Sequence, residues 1–173
     1  MEKDGLDVEG IYRLSGKQDD VVELHCKFDQ DPNFDISSLD YDVTTISSAL
    51  KAFFKLLPSP LFPDDSTQAV LSIFDSEDNV KREEILVQVL LGMPKVNLKI
   101  LAYLCQHLNR ISLESSVNRM SSSNLAIVFW PTLMRPPIID LANPSQQLKW
   151  QKVMTTLIDK PGIIPDPDLE GAD

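Results

Sequence analysis

Apolar residues along this chain recur at three- and four-residue intervals, the spacing that gathers them on one face of an α-helix. Residues 17–30 set Val21, Val22, Leu24 and Phe28 among Asp, Glu, Lys and Gln. Residues 44–57 carry Ile46, Leu50, Phe53, Phe54 and Leu57, with Thr44 or Thr45 placed to cap the first turn. Val70, Leu71 and Phe74 mark a helix over 66–75 capped by Ser66, and Ile85, Leu86, Val89 and Leu90 mark another over 80–92. The clearest stripe is Leu98, Leu101, Leu104, Cys105, Leu108 and Ile111 in residues 97–113, with Asn97 as the cap. A shorter block, 125–130, follows Ser121-Ser122-Ser123. Its run Ile127-Val128-Phe129-Trp130 is strand-like in composition, but the serine cap and the abrupt Pro131 predict a buried helix. Residues 145–159 complete the series, with Leu148, Val153, Leu157 and Ile158 facing inward.

The prolines fall between these blocks, where a residue without an N–H does least harm. No strand-like alternation, internal repeat or low-complexity stretch competes with the helical rhythm. The fold class is therefore all-α, a single multi-helix domain over residues 1–160. An acidic, Pro- and Gly-containing tail over 161–173 is expected to be disordered. At 173 residues the chain is long enough to bury a core without disulfides or metals.

Charge and glycine usage narrow the chemistry. Sixteen Lys and Arg against 26 Asp and Glu give a net charge of -10, which disfavours a nucleic-acid or anionic-membrane binder. No apolar run approaches the ~20 residues of a membrane span, and two cysteines point to a reducing cytoplasm. Between Gly16 and Gly162 the single glycine is Gly92, so no glycine-rich loop is present to cradle a nucleotide. His25 and His107 stand near Cys26 and Cys105, but not at zinc-ligand spacing, and read as structural. The acidic pairs Asp19-Asp20, Asp64-Asp65 and Glu83-Glu84 suit helix starts. Residues 29–35 lack the central Gly and final Glu of a calcium loop. No metal site is expected.

Cations and amides beside the segment breaks remain. Glu9-Gly10-Ile11-Tyr12-Arg13-Leu14-Ser15-Gly16 sets an arginine between two glycines, where a planar five-donor fork can project toward phosphate. Leu50-Lys51-Ala52-Phe53-Phe54-Lys55-Leu56-Leu57-Pro58-Ser59-Pro60-Leu61 puts Lys51 and Lys55 one turn apart on one helix face. Asn124-Leu125-Ala126-Ile127-Val128-Phe129-Trp130-Pro131-Thr132-Leu133-Met134-Arg135-Pro136 opens an apolar run with an amide and closes it with a cation. Taken singly, these are a solvated arginine, a solvated helix flank and a helix cap.

In this order and at these separations, the three segments resemble the signatures EGI(Y/F)RxSG, LKxFxRxLPxPL and NLAxxFxPxLxRP of RhoGAP domains, the GTPase-activating domains of Rho-family regulators. The resemblance runs from about residue 5 to about 158 and includes the run Val117-Asn118-Arg119-Met120. It implies an activator of GTP hydrolysis by a Rho-, Rac- or Cdc42-type small GTPase, with Arg13 as an arginine finger inserted in trans. The partner would hold GTP and Mg²⁺, so the chain would need no cofactor of its own and would not be an enzyme alone. Lys51 matches the lysine that supports the finger loop and the switch regions, and Asn124 matches the supporting amide. Lys55 stands where arginine is more frequent, and Arg119 and Arg135 fall as further basic positions near the same groove. Five of the sixteen cations thus gather in or beside the motifs, implying one basic face on an acidic domain.

Trp130 replaces a common glycine and Thr132 a frequent asparagine. Family members also carry a helix ahead of the EGIYR segment, and only eight residues precede Glu9 here, which implies a domain short of that first helix. The implied location is cytoplasmic, at the membrane or cytoskeleton if flanking domains direct it there. The alternative from the same motifs is a RhoGAP-like module that binds small GTPases or other signalling proteins without activating them. Arg13 discriminates, since binding alone has no need of a finger.

Overall fold

The computed structural model describes residues 5–63, 69, 73, 78–136, 142–166 and 168. Seven α-helices appear among them: α1 Gln18–Gln30, α2 Val43–Leu56, α3 Asn79–Leu91, α4 Lys95–Leu113, α5 Ser115–Asn118, α6 Ser122–Met134 and α7 Pro144–Asp159. Two 3₁₀ turns, Ile36–Ser38 and Pro161–Ile163, complete the described elements, none of which is a strand. The all-α expectation is met. The helix expected over 66–75, with its Ser66 cap, lies outside the described residues, although Ile73 in that span is buried.

Helix α6 is the centre of the fold and packs on α2, α4 and α7. Leu125, Ala126, Phe129, Trp130, Leu133 and Met134 repeat every turn and are all buried. They meet Leu101, Leu104, Leu108 and Ile111 of α4 and Trp150, Val153, Met154, Leu157 and Ile158 of α7 in one core. Trp130 stacks on Trp150 with ring centroids 6.5 Å apart and planes 2° from parallel. Trp130, one of the two departures from the family pattern in this segment, therefore fills the α6–α7 seam. Helix α1 rests on α2 through a separate small cluster, Val21, Leu24 and Ala49.

Several local expectations are corrected. The cap of α2 is Asp42 rather than Thr44 or Thr45: its carboxylate accepts the Thr45 N–H at 2.6 Å and the Thr44 hydroxyl at 2.9 Å. Helix α4 starts at Lys95, so Asn97 lies inside it, and its amide donates to the Leu61 carbonyl at 2.8 Å. Pro131 does not end α6. The helix runs on to Met134 because burial of Leu133 and Met134 outweighs the missing N–H. Leu148 faces outward, and Trp150 and Met154 take the inward positions on α7. Ile164 is buried against the core, so the packed body continues past residue 160 into the expected tail. The Ser121 cap of α6 is as expected, with its hydroxyl accepting the Asn124 N–H at 3.2 Å. None of the described helices is long and apolar enough to cross a membrane.

Candidate functional site

Ahead of α1 the chain makes a series of tight turns, with Ile11 N–H donating to the Val8 carbonyl and Arg13 N–H to the Gly10 carbonyl at 2.8 Å. Gly10 has φ +72°, which glycine adopts freely. Tyr12 has φ 68°, which costs a bulky L-residue on the order of 1–3 kcal/mol and persists only where the surroundings impose it.

Four contacts fasten residues 9–16. The Gly10 N–H donates to the Asn118 carbonyl at 2.8 Å. The Tyr12 carbonyl accepts from the Lys51 ammonium. The Tyr12 hydroxyl and His107 Nε2 share a buried hydrogen bond of 2.7 Å. The Gly16 N–H donates to the Ser48 hydroxyl at 3.0 Å. Gly16 is required sterically as well, since a Cβ there would stand 2.3 Å from Thr45 Cα in the first turn of α2. Tyr12 itself is fully buried, its ring edge-on to Phe129 at a centroid distance of 4.8 Å.

Arg13 is the contrast. Its backbone is held between these anchors, yet its side chain is exposed. The guanidinium curls back so that Nη2 lies 3.4 Å from where a Cβ on Gly10 would be. Lys51 is half-buried beside it, and burial holds its ammonium below the usual lysine range. Lys55, one turn further along α2, is exposed.

The turn 118–121 meets the loop through the Gly10 N–H bond to the Asn118 carbonyl. Asn118 is fully buried, and its amide nitrogen donates to the carbonyls of Leu6 and Ile111, each at 2.8 Å. Its side-chain oxygen accepts the Met120 N–H at 2.7 Å. Arg119 follows with φ 61°, ending α5, with its side chain exposed. The Asn124 amide donates to the Arg119 carbonyl at 3.0 Å. Asn124 thus touches the turn that holds Gly10 rather than the arginine loop itself.

Arg135 does not join this group. Its Nη1 donates to the Leu57 carbonyl at 2.6 Å and its Nη2 to the Phe54 carbonyl at 2.5 Å. It is a C-terminal cap on α2, complementing carbonyls that the helix leaves unpaired. Three further residues of the site carry no charge signature in the sequence: Tyr12, His107 and Asn118. The available sign is a polar residue inside an apolar stripe, with His107 between Leu104 and Ile111, and Asn118 seven residues after Ile111. His25 bonds the Ala49 carbonyl at 2.9 Å, and burial pushes the Cys105 thiol up. No group of three or more His, Cys, Asp or Glu suited to a metal ion occurs among the described residues.

Fold and loop together define a class: a helical domain that clamps the backbone of a short turn and leaves the arginine of that turn exposed. The chain belongs to the RhoGAP domain family, whose model matches residues 1–138. It is 37% identical over 158 residues to Rho GTPase-activating protein 35 of Rattus norvegicus, covering 91% of this chain and 10% of that protein. It is 38% identical over 153 residues to the breakpoint cluster region protein of Homo sapiens, covering 86% of this chain and 12% of that one. The chain therefore spans only a small part of the length of these relatives. The crystal structure of the BH domain from Graf, the GTPase regulator associated with focal adhesion kinase, superposes with a TM-score of 0.86 at 27% identity. That match covers 94% of this chain and 87% of the other.

Proposed function

We propose that this domain accelerates GTP hydrolysis by a Rho-, Rac- or Cdc42-type small GTPase by inserting Arg13 into the partner's site in trans. The observation that carries the proposal is the combination at residue 13 of a fastened backbone and an exposed guanidinium. Phosphoryl transfer is catalysed mainly by positioning and by charge placed where it develops. A guanidinium presented from a rigid loop supplies both, with little ordering left to do on docking. The names of the relatives, Rho GTPase-activating proteins among them, support the same partner class. GTP and Mg²⁺ belong to the partner, and this chain alone turns nothing over.

In this scheme Lys51 grips the carbonyl that precedes Arg13, while Lys55 and Arg119 offer further exposed charge. Asn124 steadies the turn behind the loop. The test is single-turnover phosphate release from Rho-, Rac- and Cdc42-type proteins loaded with GTP, with wild type or Arg13→Ala. Wild type is expected to stimulate at least one of them, and Arg13→Ala to lose ~10³-fold or more of that stimulation. Binding to the GTP-loaded partner is expected to stay within a few-fold. Equal phosphate release for the two proteins would remove Arg13 from its role.

A further inference from the structure

We infer that the hydroxyl of Tyr12, through its hydrogen bond to His107, is a positioning group for Arg13. The inference rests on the proposed role of Arg13 and goes beyond it in assigning what aims the guanidinium. Tyr12 immediately precedes Arg13, so its φ and ψ set the direction in which the arginine leaves the body of the domain. That residue sits at φ 68°, a conformation its own sterics oppose, so the setting is imposed from outside. Two contacts impose it from opposite ends of the residue: Lys51 holds the carbonyl, and His107 holds the tip of the side chain.

Packing alone does not explain the hydroxyl. The ring already lies edge-on to Phe129 at 4.8 Å and to His107 at 5.9 Å, and a phenylalanine ring would keep both arrangements. The family pattern EGI(Y/F)R admits phenylalanine as well as tyrosine at this place, so the ring alone satisfies the pattern and the hydroxyl calls for its own account. His107 in turn occupies an inward position of α4, with 8% of its surface exposed, where an aliphatic residue would suit the stripe of Leu101, Leu104, Leu108 and Ile111. A polar pair buried at 2.7 Å across 95 residues of sequence fixes a distance and a direction that apolar contact does not. It ties the arginine loop to the longest of the described helices.

Tyr12→Phe removes the bond and keeps the ring, His107→Leu removes it from the other side, and His107→Gln leaves a polar group near the position of Nε2. Stimulated single-turnover hydrolysis is measured over a range of domain concentrations, at a temperature well below the melting point of each variant. Tyr12→Phe and His107→Leu are each expected to lower the saturating rate about 10-fold, with the half-saturating concentration within two-fold of wild type. The double variant is expected to be no slower than either single variant, and His107→Gln to recover most of the rate. A saturating rate at the wild-type value in Tyr12→Phe overturns the inference, and so does a double variant in which the two losses multiply. A loss confined to half-saturation also overturns it. Arg13→Ala separates the two levels: full stimulation by that variant fells the proposed function and this inference together. Its collapse beside an unimpaired Tyr12→Phe fells only the inference.

Discussion

The loop 9–16 and the turn 57–62 are both irregular stretches fastened to α2, and each is associated with an arginine, but the two arginines work in opposite senses. In the turn, Arg135 reaches from the end of α6 and commits two of its nitrogens to the Phe54 and Leu57 carbonyls. Asn97 and the Leu133 carbonyl hold the rest of that turn, at Leu61 and Phe62. In the loop, other residues do the fastening, and the Arg13 guanidinium is left exposed. Because other groups fasten its loop, Arg13 keeps its side chain exposed, whereas Arg135 spends its own nitrogens on the fastening. Motif spacing alone makes Arg13 and Arg135 look alike, and the carbonyls they do or do not meet tell them apart.

The largest effect that would test this contrast is kinetic at one arginine and absent at the other. Arg13→Ala is expected to remove ~10³-fold or more of the stimulation, about 4 kcal/mol of activation free energy. As an exposed side chain it should leave the melting temperature within about 2 °C of wild type. A large drop in melting temperature would show that Arg13 serves the fold, and the contrast would collapse.

Next in size is Asn118→Ala. Removing a buried amide that serves the Leu6 and Ile111 carbonyls and the Met120 N–H strips the Leu6 carbonyl and the Met120 N–H of this partner and leaves the Ile111 carbonyl with the Glu114 N–H alone, at a cost of about 3 kcal/mol. Chemical denaturation would show it as a lower midpoint with an unchanged slope. A loss below ~1 kcal/mol would mean that the turn 118–121 is held by something other than this side chain.

Arg135→Ala follows, at about 2 kcal/mol of stability for the two carbonyls it uncovers. Stimulated hydrolysis per folded molecule should change by less than about three-fold. Rate loss on the scale of Arg13→Ala, at unchanged stability, would return Arg135 to the partner-facing group.

These three side chains also show how much was legible in advance. The helices could be read because each buries one face at a 3.6-residue period, and the stripe Leu98–Leu101–Leu104–Leu108–Ile111 is that face of α4. Ends were less legible, since they depend on competition among neighbours. Asp42 outbids two threonines for the cap of α2, and Pro131 is overruled by the burial of the residues after it. Arg13 and Lys51 stood out through the motif. The partners that give the site its shape did not, because Tyr12 meets His107 across 95 positions and Asn118 meets Leu6 across 112. The sign in the sequence is a polar residue at core spacing, and periodicity by itself counts it as core.

The smallest effect concerns the two ends of α2, which are capped by opposite charges. Asp42 stands at the N-terminus and accepts from Thr44 and Thr45, and Arg135 stands at the C-terminus. This is the arrangement the helix dipole favours. Thr45 is also the residue against which Gly16 closes, so the Asp42 cap lies under the end of the arginine loop. Hydrogen bonds from the Thr45 backbone N–H and the threonine side chains hold the Asp42 carboxyl below the ordinary aspartate range. A folded-state pKa below the unfolded one contributes stability that is present above the unfolded value and is lost as pH falls through the folded value. Asp42→Ala is expected to cost about 1 kcal/mol at neutral pH, and Asp42→Asn less, because the amide oxygen still accepts. Between pH 7 and pH 3 the melting-temperature gap between the wild type and Asp42→Asn should narrow as pH falls below the ordinary aspartate range. The gap between the wild type and Arg135→Ala should stay open over the same range, since the guanidinium keeps its charge. If the Asp42→Asn gap held constant down to pH 3, the carboxylate's charge would be irrelevant to the cap, and hydrogen-bond geometry alone would account for the start of α2.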